Sequence, residues 1–301
     1  SRRQRQMCIR DSRGSIHVPT GDDEIESKNP ITVHNGTYSG PTLTLIAGIH
    51  GSEYAPILAM QYLARQIDPT HLTGAIVIVH IANLPAFVGR TIYFGPNDLK
   101  NLNRSFPGSL NGSVTERIAF VLTQQIIKRS DSVIDIHAGD GNESLRPSYS
   151  AYYAEAGGEE VIRLSRKIAI AFGLKTIILF SGSYDLVEDA SYTSSQAVTL
   201  GIPAIDVESG ERGLIDGQYV DPVTVGVIHV MRELEMIDGS PESNENPLFI
   251  SDRVRLKSGH NGIWSPDSLV KTGDYINAGT RLGVISDYHG TELEQLRHRS
   301  Q

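Results

Sequence analysis

The stretch from Ala47 to Glu53 carries side chains whose types and spacing suit a metal ion. His50 supplies an imidazole and Glu53 a carboxylate, three residues apart, on a turn that contains Gly48 and Gly51. Both side chains are zinc ligands, and a catalytic zinc commonly takes two His and one Glu while one position stays open for water. The turn therefore predicts two protein ligands of a metal ion, and a third must come from elsewhere in the chain.

His137 offers that third ligand, because it ends a second apolar run, Ser132 to Ile136. Asp135 lies two residues before His137, so the two side chains share one face of a strand. A carboxylate in that place can accept a hydrogen bond from a ligand imidazole and fix its tautomer. The alternative for Asp135 is a strand-end acid that bonds only to the backbone.

Regular elements on both sides must position the turn. The apolar run from Leu43 to Ala47 predicts a buried strand, and the apolar pattern of residues 55–66 predicts a helix. A side chain on such a strand-to-helix turn lies at the sheet edge where α/β folds bind ligands. Strand and helix patterns alternate from 41 to 236, which predicts an α/β fold with helices on both faces of the sheet. The other predicted strands are 74–82, 132–136, 150–154, 176–180 and 203–207, and the other predicted helices are 115–128, 158–172 and 220–236.

The pattern changes after residues 238–247, which are rich in turn-forming residues and predict a linker. Short β runs follow, and the next helix signal begins at residue 291. Residues 273–285 resemble half of a biotinyl/lipoyl-like β fold. We therefore expect a catalytic domain at 13–240 and a small, incomplete all-β domain at 245–301. Nearer the start of the chain, Asn35-Gly36 predicts a β-hairpin.

Composition excludes several classes of function. The net charge of −8 argues against a nucleic-acid partner, which would favour a basic face. No apolar run approaches the roughly 18 residues of a membrane span, so no membrane partner is expected. The single cysteine, Cys8, cannot form an internal disulfide, and no export leader is apparent. These features favour a cytoplasmic protein.

The first 12 residues, Ser1 to Ser12, are rich in arginine and have no amphipathic period. They resemble translated sequencing-adapter read-through, and the fold predictions set them aside as a non-native segment. The alternative is a genuine basic arm without fixed structure.

Four motifs follow one another along the chain. They are Gly48-x-His50-Gly51-x-Glu53, Asn103-Arg104 within the polar loop 88–112, Asp135-x-His137, and Glu208 in Asp206-Val207-Glu208-Ser209-Gly210. In this order they resemble the succinylglutamate desuccinylase/aspartoacylase family, a branch of the zinc carboxypeptidase-like hydrolases. The resemblance covers roughly residues 30–290. It implies a zinc-carboxypeptidase-like mixed sheet flanked by helices.

The resemblance also implies a role for each matching residue. His50, Glu53 and His137 would bind one zinc ion per subunit, and Glu208 would be the general base. The remaining matches are the loop residues: Asn103 and Arg104 would hold the substrate carboxylate, and Arg90 would polarise the scissile carbonyl. Arg90 is separated from Asn103 by an insertion relative to the shortest family members. Glu211 is the rival of Glu208, because it lies close by in the chain.

The implied function is a zinc-dependent hydrolase that cleaves the amide bond of a small N-acyl amino acid by a metal-activated water. Such an enzyme acts on carbon–nitrogen bonds other than peptide bonds. Its partner is a small-molecule substrate, and homo-oligomers are common among such proteins. Two alternatives stay open: a zinc carboxypeptidase acting on peptide C-termini, and a non-catalytic binding protein on the same scaffold.

Overall fold

The structure is a computed structural model that describes residues 11–145, 147–184, 186–242, 244 and 246–299. The chain divides into two compact units, one ending at Ser251 and the other beginning at Asp252. Cys8 and most of the adapter-like segment lie outside the described residues, while Asp11 and Ser12 belong to the first strand.

A mixed sheet organises the first unit, and nine strands of the described chain form it in the order β1-β2-β4-β3-β5-β8-β6-β7-β9. The middle strands β4, β3, β5 and β8 run parallel, whereas β8 and β6 pair antiparallel. The strand bounds are β1 Asp11–Val18, β2 Ser27–Asn35, β3 Tyr38–Ala47, β4 Thr73–Val79, β5 Ser132–His137, β6 Tyr149–Tyr153, β7 Thr176–Phe180, β8 Ala204–Glu208 and β9 Leu248–Ile250.

Helices cover both faces of this sheet, and the core lies between them and the strands. Leu43 and Leu45 of β3 pack into the cluster on one face, whereas Ile46 belongs to the cluster on the other. Burial on both faces explains why the central strands read as continuous apolar runs. The helix bounds are α1 Tyr54–Gln66, α2 Leu84–Gly89, α3 Val114–Val121, α4 Glu159–Ala171, α5 Thr193–Thr199 and α6 Gly217–Glu233.

Strand register brings the carboxyl ends of three strands to one edge of the sheet. Ala47 at the end of β3 pairs with Ile136 of β5, and His137 pairs with Glu208 at the end of β8. Because these strands are parallel, the segments that follow them leave from the same edge. The register therefore places the His50 turn, His137 and Glu208 beside one another.

The second unit has a small antiparallel sheet, whose strands are β10 Ile263–Pro266, β11 Arg281–Ser286 and β12 Glu292–Arg297. Together with the helix-covered mixed sheet, it confirms the predicted fold class. The boundary between the units falls later than the expected linker, because β9 pairs with β7 at the edge of the large sheet. None of the helices in the described ranges combines the length and apolarity needed to cross a membrane.

Two local predictions were wrong. Asn35-Gly36 does not join a hairpin, because β4 lies between β2 and β3 and pairs with both. The helix predicted to begin at residue 291 is strand β12 instead. This segment, Glu292–Arg297, pairs with β11, and alternate side chains along it are partly buried. In both cases pairing with a distant strand overrode a local preference.

Candidate metal centre

His50, Glu53 and His137 converge at the carboxyl edge of the sheet. One donor atom from each lies within 4.8 Å of the other two. Oε1 of Glu53 is 2.9 Å from Nδ1 of His50 and 3.0 Å from Nδ1 of His137. Two imidazole nitrogens and a carboxylate oxygen in one small, mostly buried volume are a donor set that fits a divalent zinc ion.

The turn after β3 brings His50 and Glu53 together through tight backbone packing. Gly48 has a φ of 67°, in the left-handed region that favours glycine. A Cβ at Gly51 would lie 2.5 Å from the carbonyl oxygen of Ala86, so the turn tolerates no side chain there. Glu53 then stands immediately before α1 with its carboxylate turned back to accept from the backbone N–H of His50.

The second nitrogen of each imidazole is also engaged. Nε2 of His137 lies 2.9 Å from Oδ2 of Asp135, so the two side chains share one face of the strand as predicted, in an ion-pair contact without hydrogen-bond geometry. Nε2 of His50 lies 3.1 Å from Oδ1 of Asn101. Both rings therefore turn Nδ1 towards Glu53. Sequence reasoning missed Asn101, although it lies in the same segment as Asn103 and Arg104.

Charge inside the cluster favours an ionised Glu53. Burial by itself would raise the pKa of Glu53, but His137 and His50 outweigh it and hold that pKa at about 2. Burial disfavours a charged His137, yet Asp135 and Glu53 raise its pKa well above the usual range. The centre is therefore a buried anion between two proton-binding imidazoles, which is the electrostatic setting that a cation would occupy.

Another pair that sequence reasoning missed, Ser52 and Asp140, lies near the same nitrogen of His50 that faces Glu53. Oγ of Ser52 donates to Oδ1 of Asp140 at 2.6 Å, and Oδ2 of Asp140 lies 3.5 Å from Nδ1 of His50. Burial, followed by the charge of Glu53, raises the pKa of Asp140 to about 7. No sequence signal pointed to Asp140, because it lies in an irregular segment after β5.

Two buried carboxyl groups, those of Asp135 and Asp206, also lie close to His137. Asp206 of β8 stands opposite Asp135 in the strand register, and a donor atom from each lies within 4.8 Å of one from His137. Burial and the neighbouring Asp135 raise the pKa of Asp206 to about 7.

Glu208 and Glu211 have different surroundings. Oε2 of Glu208 is buried without a hydrogen-bond partner, and burial raises the pKa of this residue well above its usual value. Glu211 accepts hydrogen bonds from Oη of Tyr219 at 2.8 Å, from Oγ of Ser144 at 2.6 Å and from Nη2 of Arg212 at 2.9 Å. Glu208 thus has an oxygen available for proton transfer, whereas both oxygens of Glu211 are committed to the structure.

Asn103 and Arg104 lie on a single helical turn, Leu102–Arg104. Oδ1 of the buried Asn103 accepts from the backbone N–H of Thr193 at 3.0 Å, which leaves Nδ2 directed at His137, 3.5 Å from its Nε2. Arg104 is exposed, and its guanidinium stacks over the ring of Tyr192 with Cζ 4.0 Å from the ring centroid. Nη1 of Arg104 also donates to the backbone carbonyl of Asn103 at 2.5 Å, and the guanidinium keeps its other N–H donors with which it can bind a carboxylate.

Arg90 is not brought to the cluster. It is exposed at the end of α2 with a φ of 54°, and it makes no hydrogen bond or ion pair with the candidate metal ligands among the described residues. Tyr93 from the same loop does reach the centre, since its ring lies edge-on to His50 with centroids 5.8 Å apart. Its hydroxyl donates to Oε1 of Glu143 at 2.8 Å.

Comparison with known proteins matches this chain to one family and to relatives with the same fold. The family model of the succinylglutamate desuccinylase/aspartoacylase catalytic domain matches residues 39–234. A curated relative, the N-alpha-acetyl-L-2,4-diaminobutyric acid deacetylase of Halomonas elongata, is 26% identical over 296 residues, which cover 96% of this chain and 83% of the relative.

Two solved structures share the fold. The succinylglutamate desuccinylase/aspartoacylase of Rhodobacter sphaeroides superposes with a TM-score of 0.82 at 23% identity, covering 96% of this chain and 87% of the other. The product-bound ectoine utilization protein EutE (DoeB) of Ruegeria pomeroyi gives a TM-score of 0.84 at 22% identity, covering 95% and 86%.

Proposed function

This chain belongs to the succinylglutamate desuccinylase/aspartoacylase family, and on that premise we propose that it is a zinc-dependent deacylase of small N-acyl amino acids. The observation that carries the proposal is the convergence of His50, Glu53 and His137 beside the unpartnered oxygen of Glu208. The curated relative is named for removing an N-alpha-acetyl group from a diamino acid. We therefore expect an N-acetylated amino acid as the substrate, and Nα-acetyl-2,4-diaminobutyric acid is the first compound to test.

His50, Glu53 and His137 would hold one zinc ion per subunit. When bound, zinc supplies Lewis-acid polarisation of the scissile carbonyl and lowers the pKa of water from about 15.7 towards 7. The two neutral imidazoles and the carboxylate contribute one negative charge in total, so a dication together with these three ligands would carry a charge of +1. That charge favours a substrate whose acyl carbonyl oxygen becomes negative during the reaction.

Glu208 acts as general base and then as general acid. It takes a proton from the attacking water while the water oxygen bonds to the acyl carbon, and it delivers that proton to the amine as the carbon–nitrogen bond breaks. The products are a free amino acid and a carboxylic acid, which ionises at neutral pH by releasing its proton to water. The buried, unpartnered Oε2 of Glu208 supports this role over Glu211, whose oxygens already accept three hydrogen bonds.

Arg104 and Asn103 bind the substrate carboxylate in this proposal. Arg104 offers a bidentate guanidinium held by Tyr192, and Asn103 offers the amide nitrogen that faces His137. The role of Arg90 in polarising the carbonyl stays a prediction that requires its exposed side chain to turn towards the bound substrate.

A substrate panel tests the proposal directly. Zinc-loaded protein is incubated with N-acetyl, N-succinyl and N-formyl amino acids, with Nα-acetyl-2,4-diaminobutyrate included, and release of the free amino acid is measured. Peptides with free C-termini form a second arm. Hydrolysis confined to N-acyl amino acids supports the deacylase, C-terminal trimming supports the carboxypeptidase alternative, and no hydrolysis in either arm contradicts both.

Arg104→Ala is expected to raise KM by about 10- to 100-fold with a smaller effect on kcat, because hydrogen bonds to a charged group contribute about 1.5–3 kcal/mol. Steady-state kinetics on the best panel substrate measures the change. Lys100→Ala is the matched control, since Lys100 lies in the same loop but pairs with Glu116 at 2.6 Å. A fall in kcat with KM unchanged would contradict a binding role for Arg104.

A further inference from the structure

Asn101 holds His50 from the side opposite the proposed metal position. Its Oδ1 is 3.1 Å from Nε2 of His50, while Nδ1 of the same ring faces Glu53 at 2.9 Å. His50 and Asn101 are 51 residues apart in the chain, so only the fold creates this contact. The motif that includes Asn103 and Arg104 assigns no role to Asn101.

A second hydrogen bond fixes which end of the Asn101 amide faces His50. Oδ1 also accepts from the backbone N–H of Asn103 at 2.8 Å, and a backbone N–H can only donate. The oxygen of Asn101, and not its nitrogen, therefore points at the imidazole. Because an amide oxygen only accepts, Nε2 of His50 must carry a proton, which leaves Nδ1 as the nitrogen that can offer a lone pair to a metal.

We propose that Asn101 is a positioning residue for the metal centre. Its Oδ1 accepts from Nε2–H of His50 and keeps Nδ1 aimed at the space shared with Glu53 and His137. The inference rests on the proposed metal site, although it does not depend on which substrate the protein hydrolyses.

The chemistry of the two imidazole partners differs in a way that the local charge explains. Nε2 of His137 faces a carboxylate, Asp135, at 2.9 Å, whereas Nε2 of His50 faces a neutral amide at 3.1 Å. His50 already has two carboxylates near Nδ1, Glu53 at 2.9 Å and Asp140 at 3.5 Å. An amide at Nε2 accepts the hydrogen bond without adding a third negative charge around one ring.

Asn101 also organises the segment that carries the substrate-binding residues. Its backbone carbonyl accepts from the N–H of Arg104 at 3.0 Å and from Oγ of Ser105 at 2.8 Å. Its side chain also accepts from the backbone N–H of Asn103, so loss of that side chain affects the loop as well as His50. The experiment must separate these two effects.

The first measurement is the zinc dissociation constant, obtained by competition with a chromophoric chelator. N101A is expected to bind zinc about 10- to 100-fold more weakly than the wild type, the usual effect of removing a partner of a ligand imidazole. N101D keeps an acceptor oxygen and adds a negative charge near the site, so it is expected to bind zinc at least as tightly as the wild type. N142A is the matched control, because Oδ1 of the exposed Asn142 lies 3.0 Å from Oη of Tyr93 and, among the described residues, Asn142 makes no hydrogen bond with His50, Glu53 or His137.

The second measurement needs no variant. In nitrogen-15 spectra of zinc-loaded wild-type protein, we expect the His50 proton on Nε2 with slow exchange into solvent. A proton on Nδ1 of His50 would overturn the proposal even if N101A fails to fold. So would wild-type zinc affinity in N101A, or a tenfold loss of affinity in N101D. Failure of the wild type to bind zinc would instead remove the metal site itself.

Discussion

Metal-free protein is expected to hydrolyse N-acyl amino acids at least about 1,000-fold more slowly than zinc-loaded protein. A catalytic zinc contributes several kcal/mol of transition-state stabilisation, and each 1.36 kcal/mol is a factor of ten in rate. Among the described residues no arginine or lysine stands at the cluster to replace this charge, because Arg104 stacks on Tyr192 and Arg90 is exposed. Chelation followed by a rate assay, with metal content measured on the same sample, gives the result.

Restoring zinc should restore the rate, which separates metal loss from unfolding. His137→Ala should bind little zinc and stay inactive when zinc is added, because His137 is buried and supplies one of three donors. His71→Ala is the matched control, since the His71 side chain is 82% exposed and lies outside the cluster. Full activity in a sample shown to be free of metal would reject the zinc-dependent mechanism.

Glu208→Gln is expected to lower kcat by about two to four orders of magnitude, which is the contribution of a general acid–base residue. The amide has nearly the shape of the carboxylate but cannot take the proton from water. Zinc content should be unchanged, because the proposed donors are His50, Glu53 and His137. Rapid mixing and steady-state kinetics on the best substrate measure the loss, and metal analysis checks the site.

Glu211→Gln is the matched control, with the same change in chemistry at the neighbouring candidate. Glu211 is buried and accepts from Tyr219, Ser144 and Arg212, so its loss should lower the free energy of unfolding more than the turnover of the folded enzyme. Thermal melts and kinetics on the same preparations distinguish the two effects. Unchanged turnover in Glu208→Gln together with a collapse in Glu211→Gln would transfer the role of base to Glu211.

Local pattern was sufficient to predict most of the sheet. Val133, Ile134 and Ile136 make the run before His137 apolar, and each is fully buried in β5. A strand buried on both faces needs such a run whatever its neighbours are, so its existence can be inferred from the sequence. Segments without that constraint were harder to predict, and the pairing of Glu292–Arg297 with β11 is one example.

The family predicted from four motifs is confirmed by the match over residues 39–234. The contacts of individual site residues were harder to predict from the sequence. Asp135 lies beside His137 as their spacing on one strand predicted, because alternation along a strand is a local property. Arg90 shows the limit of that reasoning, since a loop residue carries no periodicity that says where its side chain lies.

The sequence by itself determined which donor types stand at strand ends, because hydrophobic periodicity and glycine turns are encoded within short stretches. Only the tertiary structure decided which groups meet. Asn101 reaches His50 across 51 residues, and Glu211 rather than Glu208 is occupied by Tyr219 and Ser144. Hydrogen bonds weaken steeply with a few tenths of an ångström and with angle, and those distances are set by packing between segments that are far apart in the chain.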